Sequence, residues 1–162
     1  MKVPSTCDLC DAHAGEPALR VLPPAFMALG ARPAFQGPVS TVKCFEDNSL
    51  VRAALEEPGA GRVLVIDGGA SLRCALVGGR LAALGAQNGW AGIVVDGCVR
   101  DRAEIDACTI GIRALALNPM RPDKRGAGQR DVPVRLQGQP VQPGDWLVAD
   151  ADGVILLDRA AA

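Results

Sequence analysis

The 162-residue chain predicts an α/β fold: a single compact domain over 1–162, with a central sheet, flanking helices and C-terminal hairpins. Three observations carry that prediction. Apolar strand-like runs alternate with helical segments between residues 62 and 117, the pattern of a mostly parallel sheet with crossover helices. After residue 131 short strand-like runs are separated by turn signals instead. Apolar residues make up 49% of a chain long enough for one real core.

Ser5 or Thr6 is placed to cap a short first helix through DLCDAHA, residues 8–14. Residues 15–36 are rich in Pro and Gly and read as an irregular connection with short strands. GPVSTVKCFE (37–46) has the β-branched content of a strand. Asp47 or Asn48 then caps a helix through SLVRAALEE, which Pro58 and Gly59 end. Residues 62–67, RVLVID, form a short strand apolar enough to be buried on both faces. Gly68-Gly69 follows as a turn. Gly78-Gly79-Arg80-Leu81 opens a helix through LAALGAQNG. Residues 91–96, AGIVVD, read as a second buried strand, leading through Gly97-Cys98-Val99 to Arg100-Asp101 and a helix across DRAEIDAC. Residues 112–117 are a third strand. The polar, Gly-rich stretch 120–131 reads as a loop. VPVRLQ, QPVQ, WLVAD and GVILL then read as strands, divided by turns at QG, PGD and ADG.

Composition removes several kinds of chemistry. The formal charge is −1, so there is no electrostatic footprint for direct nucleic-acid binding. No apolar run approaches the ~20 residues of a membrane span, and MKVPSTCDLCDAH has no apolar region of the secretory type. The expected location is the cytoplasm. The six cysteines are then expected as reduced thiols. Cys7 and Cys10 form a CxxC with no second pair to complete a zinc site, and both are expected to face the core. His13 is the only histidine, no GxSxG occurs, and the lysines Lys2, Lys43 and Lys124 lie in no distinctive motif. For carbon–carbon chemistry, carboxylates and a metal are the available tools.

Two segments could carry such chemistry. Ligands of open α/β sheets collect beyond the carboxyl ends of strands, where Arg100 and Asp101 are expected. Arg100 offers a planar fork for a carboxylate. Asp101 offers a hard oxygen for Mg²⁺ or Mn²⁺. Glu104 lies one helical turn on and could complete the shell directly or through water. Gly78, Gly79, Arg80 and Leu81 would present backbone N–H groups of a helix start to an anion. Arg100-Asp101-x-x-Glu104 is equally what a surface helix with an acidic first turn looks like, and Gly-Gly before a helix is common. The spacing joins the segments: twenty residues separate Gly79 from Arg100.

That spacing, G-x20-R-D-x2-E/D, resembles the signature of the RraA-like family. This family includes class II 4-hydroxy-4-methyl-2-oxoglutarate aldolases and the regulator of ribonuclease E activity A. The likeness extends over residues 5–157, through TCDLCDAH, TVKCFEDNSLV, RVLVIDGGASLR, NGWAGIVVDGCVRD, DKRGAGQRDVPV and PGDWLVADADGVIL. It implies a fold like the swivelling phosphohistidine domain, assembled as a homotrimer. It implies metal-dependent aldol cleavage of 4-hydroxy-4-methyl-2-oxoglutarate to two pyruvates, and oxaloacetate decarboxylation through the same pyruvate enolate. The substrate would be a small α-keto acid and the cofactor a divalent cation, Mg²⁺ or Mn²⁺. Asp101 matches the metal ligand, Arg100 the substrate-binding arginine, Gly78 to Leu81 the backbone segment that holds substrate, and Glu104 the second acidic position. Members of the family often carry an acid where this chain has Gly79. Asp101, absent from some regulator-type members, favours catalysis here. The sequence names no general base; Asp96 is a candidate and equally a turn residue at a strand end.

Two other functions stay open. The chain could bind and inhibit ribonuclease E without catalysis, a role that should survive chelation. A phosphohistidine carrier is suggested by fold analogy alone, and His13 in a helix is a poor phosphoryl acceptor. The loop 123–131 could be a lid or an anion contact, or a solvated connection or part of the trimer surface.

Overall fold

Alternation along the central strands explains why they carry nearly continuous apolar runs. A computed structural model describes residues 2–158. In β4 (Val63–Asp67) and β6 (Gly92–Val99) successive side chains point to opposite faces. Leu64, Ile66, Ile93 and Val95 join one hydrophobic cluster, while Val63, Val65 and Val94 join another. Both faces are covered, so neither strand can afford a polar stripe. The first cluster includes Val51, Ala54 and Leu55 of α2 (Ser49–Glu56) and Ala82 of α3 (Gly79–Gln87). The i, i+3, i+4 spacing in α2 is a helix face turned to the sheet, and each fully buried Leu or Val there contributes about 2 kcal/mol.

The other elements assemble around that centre. They are α1 (Thr6–Ala12), β1 (Arg20–Val21), β2 (Met27–Leu29), β3 (Phe35–Lys43), β5 (Ala75–Val77), α4 (Arg102–Asp106) and β7 (Gly111–Leu117), followed by β8 (Gln129–Arg130), β9 (Val134–Leu136), β10 (Gln139–Val141), β11 (Trp146–Ala149) and β12 (Val154–Leu157). The main sheet runs β1-β12-β11-β3-β4-β6-β7-β2, with β5 on β6 and β8 on β3. The pairs β3–β4, β4–β6, β5–β6 and β6–β7 are parallel. Towards the margins β11, β12, β1 and β2 pair antiparallel. The β9–β10 hairpin forms a separate two-stranded sheet against the second cluster. The expected α/β class with a mostly parallel centre and C-terminal hairpins is what forms.

Local signals act where the sequence puts them. The Ser5 Oγ accepts from Asp8 N at 3.4 Å and caps α1. Asp47, rather than Asn48, bonds the start of α2: its Oδ1 accepts from Ser49 N at 2.9 Å, while Asn48 makes no side-chain cap. Among the described residues no helix is long and apolar enough to cross a membrane.

Three expectations need correction. The second buried strand does not end at Asp96; β6 continues through Val99, with a register shift between Val95 and Cys98. Asp96 is therefore a strand residue and not a turn. The short strand β5 was not foreseen, because three apolar residues carry no periodicity and their state is fixed by pairing with β6. Cys7 does not face the core: it is exposed, while Cys10 is half-buried against the cluster around Leu9 and Val148. Thr6 and Leu9 form the buried face of α1, and Cys7 falls beside it. All six cysteines are free thiols.

Candidate active site

The site is made by a change of neighbour along one edge of β6. Over Gly92–Asp96 that edge is paired with β4; over Cys98 and Val99 it is paired with β5. The chain between them turns away after Asp67 at Gly68-Gly69 and comes back as β5. Since β5 and β6 are parallel, their carboxyl ends lie together: Val77 pairs with Val99, and Arg100 N donates to Val77 O at 3.0 Å. Gly78-Gly79 and Arg100-Asp101 follow directly. Twenty intervening residues are thereby closed into one corner.

Asp101 leaves β6 in the left-handed region, at φ 63° and ψ 50°. A non-glycine residue there is strained, although Asp tolerates it better than most. The turn leads into α4, yet the carboxylate does not cap that helix. Instead Asp101 Oδ2 accepts from Gly79 N at 3.0 Å. The N-cap of α3 is Gly78, which has no side chain to do this, so a residue from another helix supplies the cap. Close approach requires the glycines. A Cβ on Gly78 would stand 2.8 Å from Asp101 Oδ2, and one on Gly79 would stand 2.1 Å from Glu104 Oε2. Both carboxylates therefore lie over the first turn of α3.

These groups line a cavity of about 570 Å³, in the range of small-molecule sites. Gly78, Arg80, Leu81, Arg100, Asp101 and Glu104 all reach it. Gly79 does not line it, and its N–H is committed to Asp101. The N–H groups of Arg80 and Leu81 precede the first intrahelical bond, Ala82 N to Gly78 O, and are the free donors of that turn. Arg100 is held lightly, by one bond from Nη1 to Pro119 O at 3.3 Å.

The rest of the lining includes residues that carried no site signal in the sequence, apart from the loop 123–131, for which an anion contact was one expected role. Asn48, Ser49 and Arg52 come from the start of α2, and Pro122 and Lys124 from the loop after β7. Asp47 ties these two segments together. Its Oδ2 accepts from Arg125 N at 2.6 Å, and Ser49 Oγ accepts from Gly126 N at 2.9 Å. Burial raises the Asp47 carboxyl, but hydrogen bonds from Ser49, Arg125 and Ala127 outweigh it and hold the group below its ordinary value. The loop is clasped against α2, and β8 then pairs with β3. In the sequence Asp47 and Asn48 carried only a helix-start signal, and Lys124 sat in a stretch polar enough to pass for a solvated connection.

Asp96 stands apart. It is buried, does not line the cavity, and accepts from Gln137 Nε2 at 2.7 Å. Burial pushes its carboxyl up. The candidate base at position 96 thus belongs to the attachment of the β9–β10 turn, because β6 runs straight through it.

Among the described residues no group of three or more His, Cys, Asp or Glu is arranged to hold a metal. Asp101 and Glu104 offer two hard oxygen donors beside open volume. That suits an ion such as Mg²⁺, which is bound through one or two carboxylates and otherwise by water and substrate.

A family model described as RraA-like, Aldolase/RraA, matches residues 6–156. A candidate 4-hydroxy-4-methyl-2-oxoglutarate aldolase of Cupriavidus taiwanensis is 59% identical over 158 residues, covering 96% of each chain. The RNA-processing inhibitor RraA of Thermus thermophilis superposes with a TM-score of 0.93 at 47% identity, covering 100% of this chain and 96% of that one. A Geobacillus kaustophilus structure described as an S-adenosylmethionine:2-dimethylmenaquinone methyltransferase gives 0.92 at 43%, over 97% and 96%. One architecture carries three functional names, so the choice between them rests on the chemistry of the site.

Proposed function

The chain belongs to the RraA-like family, and on that premise we propose that it is a divalent-metal-dependent aldolase. Its substrate is 4-hydroxy-4-methyl-2-oxoglutarate, cleaved to two pyruvates, and it decarboxylates oxaloacetate through the same pyruvate enolate. The observation that carries this reading is the convergence of Arg100, Asp101 and Glu104 on the first turn of α3 in one cavity. The name of the 59%-identical relative from Cupriavidus taiwanensis supports it.

Arg100 orients the α-carboxylate of the keto acid through its fork. The N–H groups of Arg80 and Leu81 donate to the same anionic end, where the dipole of α3 favours negative charge. Asp101 would hold Mg²⁺ or Mn²⁺, with Glu104 directly or through water. When bound, the ion would supply Lewis-acid charge that stabilises the developing enolate. In cleavage the C3–C4 bond breaks and its electron pair passes into the enolate of one pyruvate. The C4 hydroxyl loses its proton to become the ketone of the second pyruvate, and C3 of the first is protonated. Arg100 offsets the charge that develops on the enolate end. The protein works in the cytoplasm as a homotrimer.

Pyruvate release from 4-hydroxy-4-methyl-2-oxoglutarate and from oxaloacetate, with Mg²⁺ and with excess EDTA, tests the reading. Metal-dependent release above the metal-only background is expected. No release from folded protein would transfer the assignment to inhibition of ribonuclease E, a reading in line with the description of the Thermus relative as an RNA-processing inhibitor. Binding to that partner would survive EDTA. Methyl transfer is the weakest fit: the cavity has no aromatic lining residue for an adenine ring and is dominated by charged side chains.

A further inference from the structure

The part of the cavity wall formed by Pro122 and Lys124 hangs on hydrogen bonds. From Met120 to Gln129 every residue is exposed except the half-buried Pro122. Among the described residues, no apolar side chain of this stretch belongs to a hydrophobic cluster. A segment without buried apolar contacts opens at far lower free energy than the core. A few bonds therefore decide where this strap lies.

Ala75 N donates to Met120 O at 2.8 Å, Asp123 N to Glu46 O at 2.8 Å and Asn48 N to Asp123 O at 3.3 Å. These are neutral main-chain bonds. The next turn is held by side chains at the start of α2. Arg125 N donates to Asp47 Oδ2 at 2.6 Å and Gly126 N to Ser49 Oγ at 2.9 Å, and Ala127 N also bonds the Asp47 carboxylate. Beyond the strap, Arg130 forks onto Glu57 at 2.8 and 3.0 Å. Asp47 is buried, and bonds to an ionised acceptor are about twice as strong as neutral ones. Gly126 and Gly128, at φ 72° and 128°, give the strap backbone pivots that few other residues allow.

We propose that Asp47 is a positioning residue for the reaction: its carboxylate latches residues 120–128 over the ligand, and this strap opens and closes as a unit when the latch bonds break and re-form. Its action on catalysis rests on the keto-acid reading of the cavity. Pro122 and Lys124 are the strap's share of the lining, so bound ligand and closed strap stabilise each other. Asp47→Asn separates the latch from the helix start. Asparagine keeps an oxygen for Ser49 N, so α2 stays capped. It turns an NH₂ group towards Arg125 N, where donor meets donor and the latch is lost.

The test is limited proteolysis with trypsin beside oxaloacetate kinetics. Lys124-Arg125 and Arg125-Gly126 are tryptic bonds inside the strap, whereas Arg121 is followed by Pro122. Cleavage requires the strap to leave its bonds, so its rate reports opening. In the wild type cleavage there is expected to be slow, and slower with pyruvate and Mg²⁺. In Asp47→Asn it is faster by about tenfold or more, the scale of one hydrogen bond to a charged group. The variant strap lies mostly open, so KM for oxaloacetate rises about tenfold while kcat falls less. Equal cleavage rates overturn the latch. Faster cleavage with an unchanged KM overturns its role towards the ligand, as does a lack of protection by pyruvate in a wild type that turns oxaloacetate over. Should Asp47→Asn not fold, Ser49→Ala removes only the Gly126 tie; cleavage is then faster by a smaller factor, and no acceleration overturns the strap. If no pyruvate-forming turnover is found, the lyase reading fails, and the cleavage rates alone decide the latch.

Discussion

The Gly79 N–H donates to Asp101 Oδ2 at 3.0 Å across a separation of 22 residues. One side chain thus closes the start of α3, whose own N-cap lacks one, and stands in the cavity as a hard oxygen donor. The same geometry couples structure and chemistry, and substitutions can separate the two.

Asp101→Asn keeps an oxygen acceptor for Gly79 N and tolerates the left-handed backbone, but it removes the charge. Thermal stability should stay within about 0.5 kcal/mol of wild type. Metal-dependent pyruvate release should fall by roughly 100-fold or more, as expected when a unique charged ligand is lost. Melting curves beside steady-state rates check this, and full turnover in the variant would remove Asp101 from the site.

Gly79→Ala inserts a Cβ 2.1 Å from Glu104 Oε2 and 2.6 Å from Glu104 Cβ. A rotamer change cannot relieve the second contact, so α4 must shift. The expected cost is about 1–3 kcal/mol, together with a loss of activity from displacement of Glu104. Chemical denaturation and kcat/KM are the measurements. A variant as stable as wild type would mean that the two helices approach less closely than described.

Arg100→Lys should leave stability nearly unchanged, since Arg100 makes only the Pro119 carbonyl bond. A lysine point charge cannot reproduce the fork. The expected loss in kcat/KM for a keto acid is about 10- to 100-fold, the scale of a lost charge-assisted hydrogen bond. Unchanged kcat/KM would argue against carboxylate binding at this position.

Asp96→Asn should stabilise the protein at neutral pH. Burial raises the Asp96 carboxyl, and the bonds from Gln137 only partly oppose this. A carboxyl of that kind retains protons in the folded chain that the unfolded chain has released. Stability therefore falls as pH climbs from the ordinary carboxylate range through the raised value, and stays lower above it. Asparagine carries no such charge, so its advantage appears above that window and fades below it. At pH 7 a gain of about 2 °C or more in Tm is expected, and little or none near pH 4. Asp47 behaves oppositely: its lowered carboxyl contributes stability that is lost as pH falls through its folded value.

Much of the frame was legible locally. The VLVI and GIVV runs mark strands covered on both faces, and Ser5 and Asp47 mark helix starts, because periodicity and capping are properties of contiguous residues. Arg100, Asp101 and Glu104 stood out through one spacing with Gly79. The reach of β6 past Asp96 was hidden, since Asp-Gly after an apolar run imitates a strand end. Cys7 was misplaced because CxxC spacing does not say which face of a short helix meets the core.

The sequence by itself determined the α/β class, the chain order of β4, β6 and β7 with the helices between them, and the segments that hold Arg100, Asp101 and the Gly78–Leu81 turn. Only the tertiary structure decided which segments share the cavity. Replacement of β4 by β5 along β6 puts Gly78-Gly79 beside Arg100-Asp101, and the Asp47 clasp brings Arg52 and Lys124 to the same space. The physical reason is range: caps, turns and amphipathic faces are settled within a few residues, whereas cavity lining depends on strand partners and buried hydrogen bonds tens of residues apart.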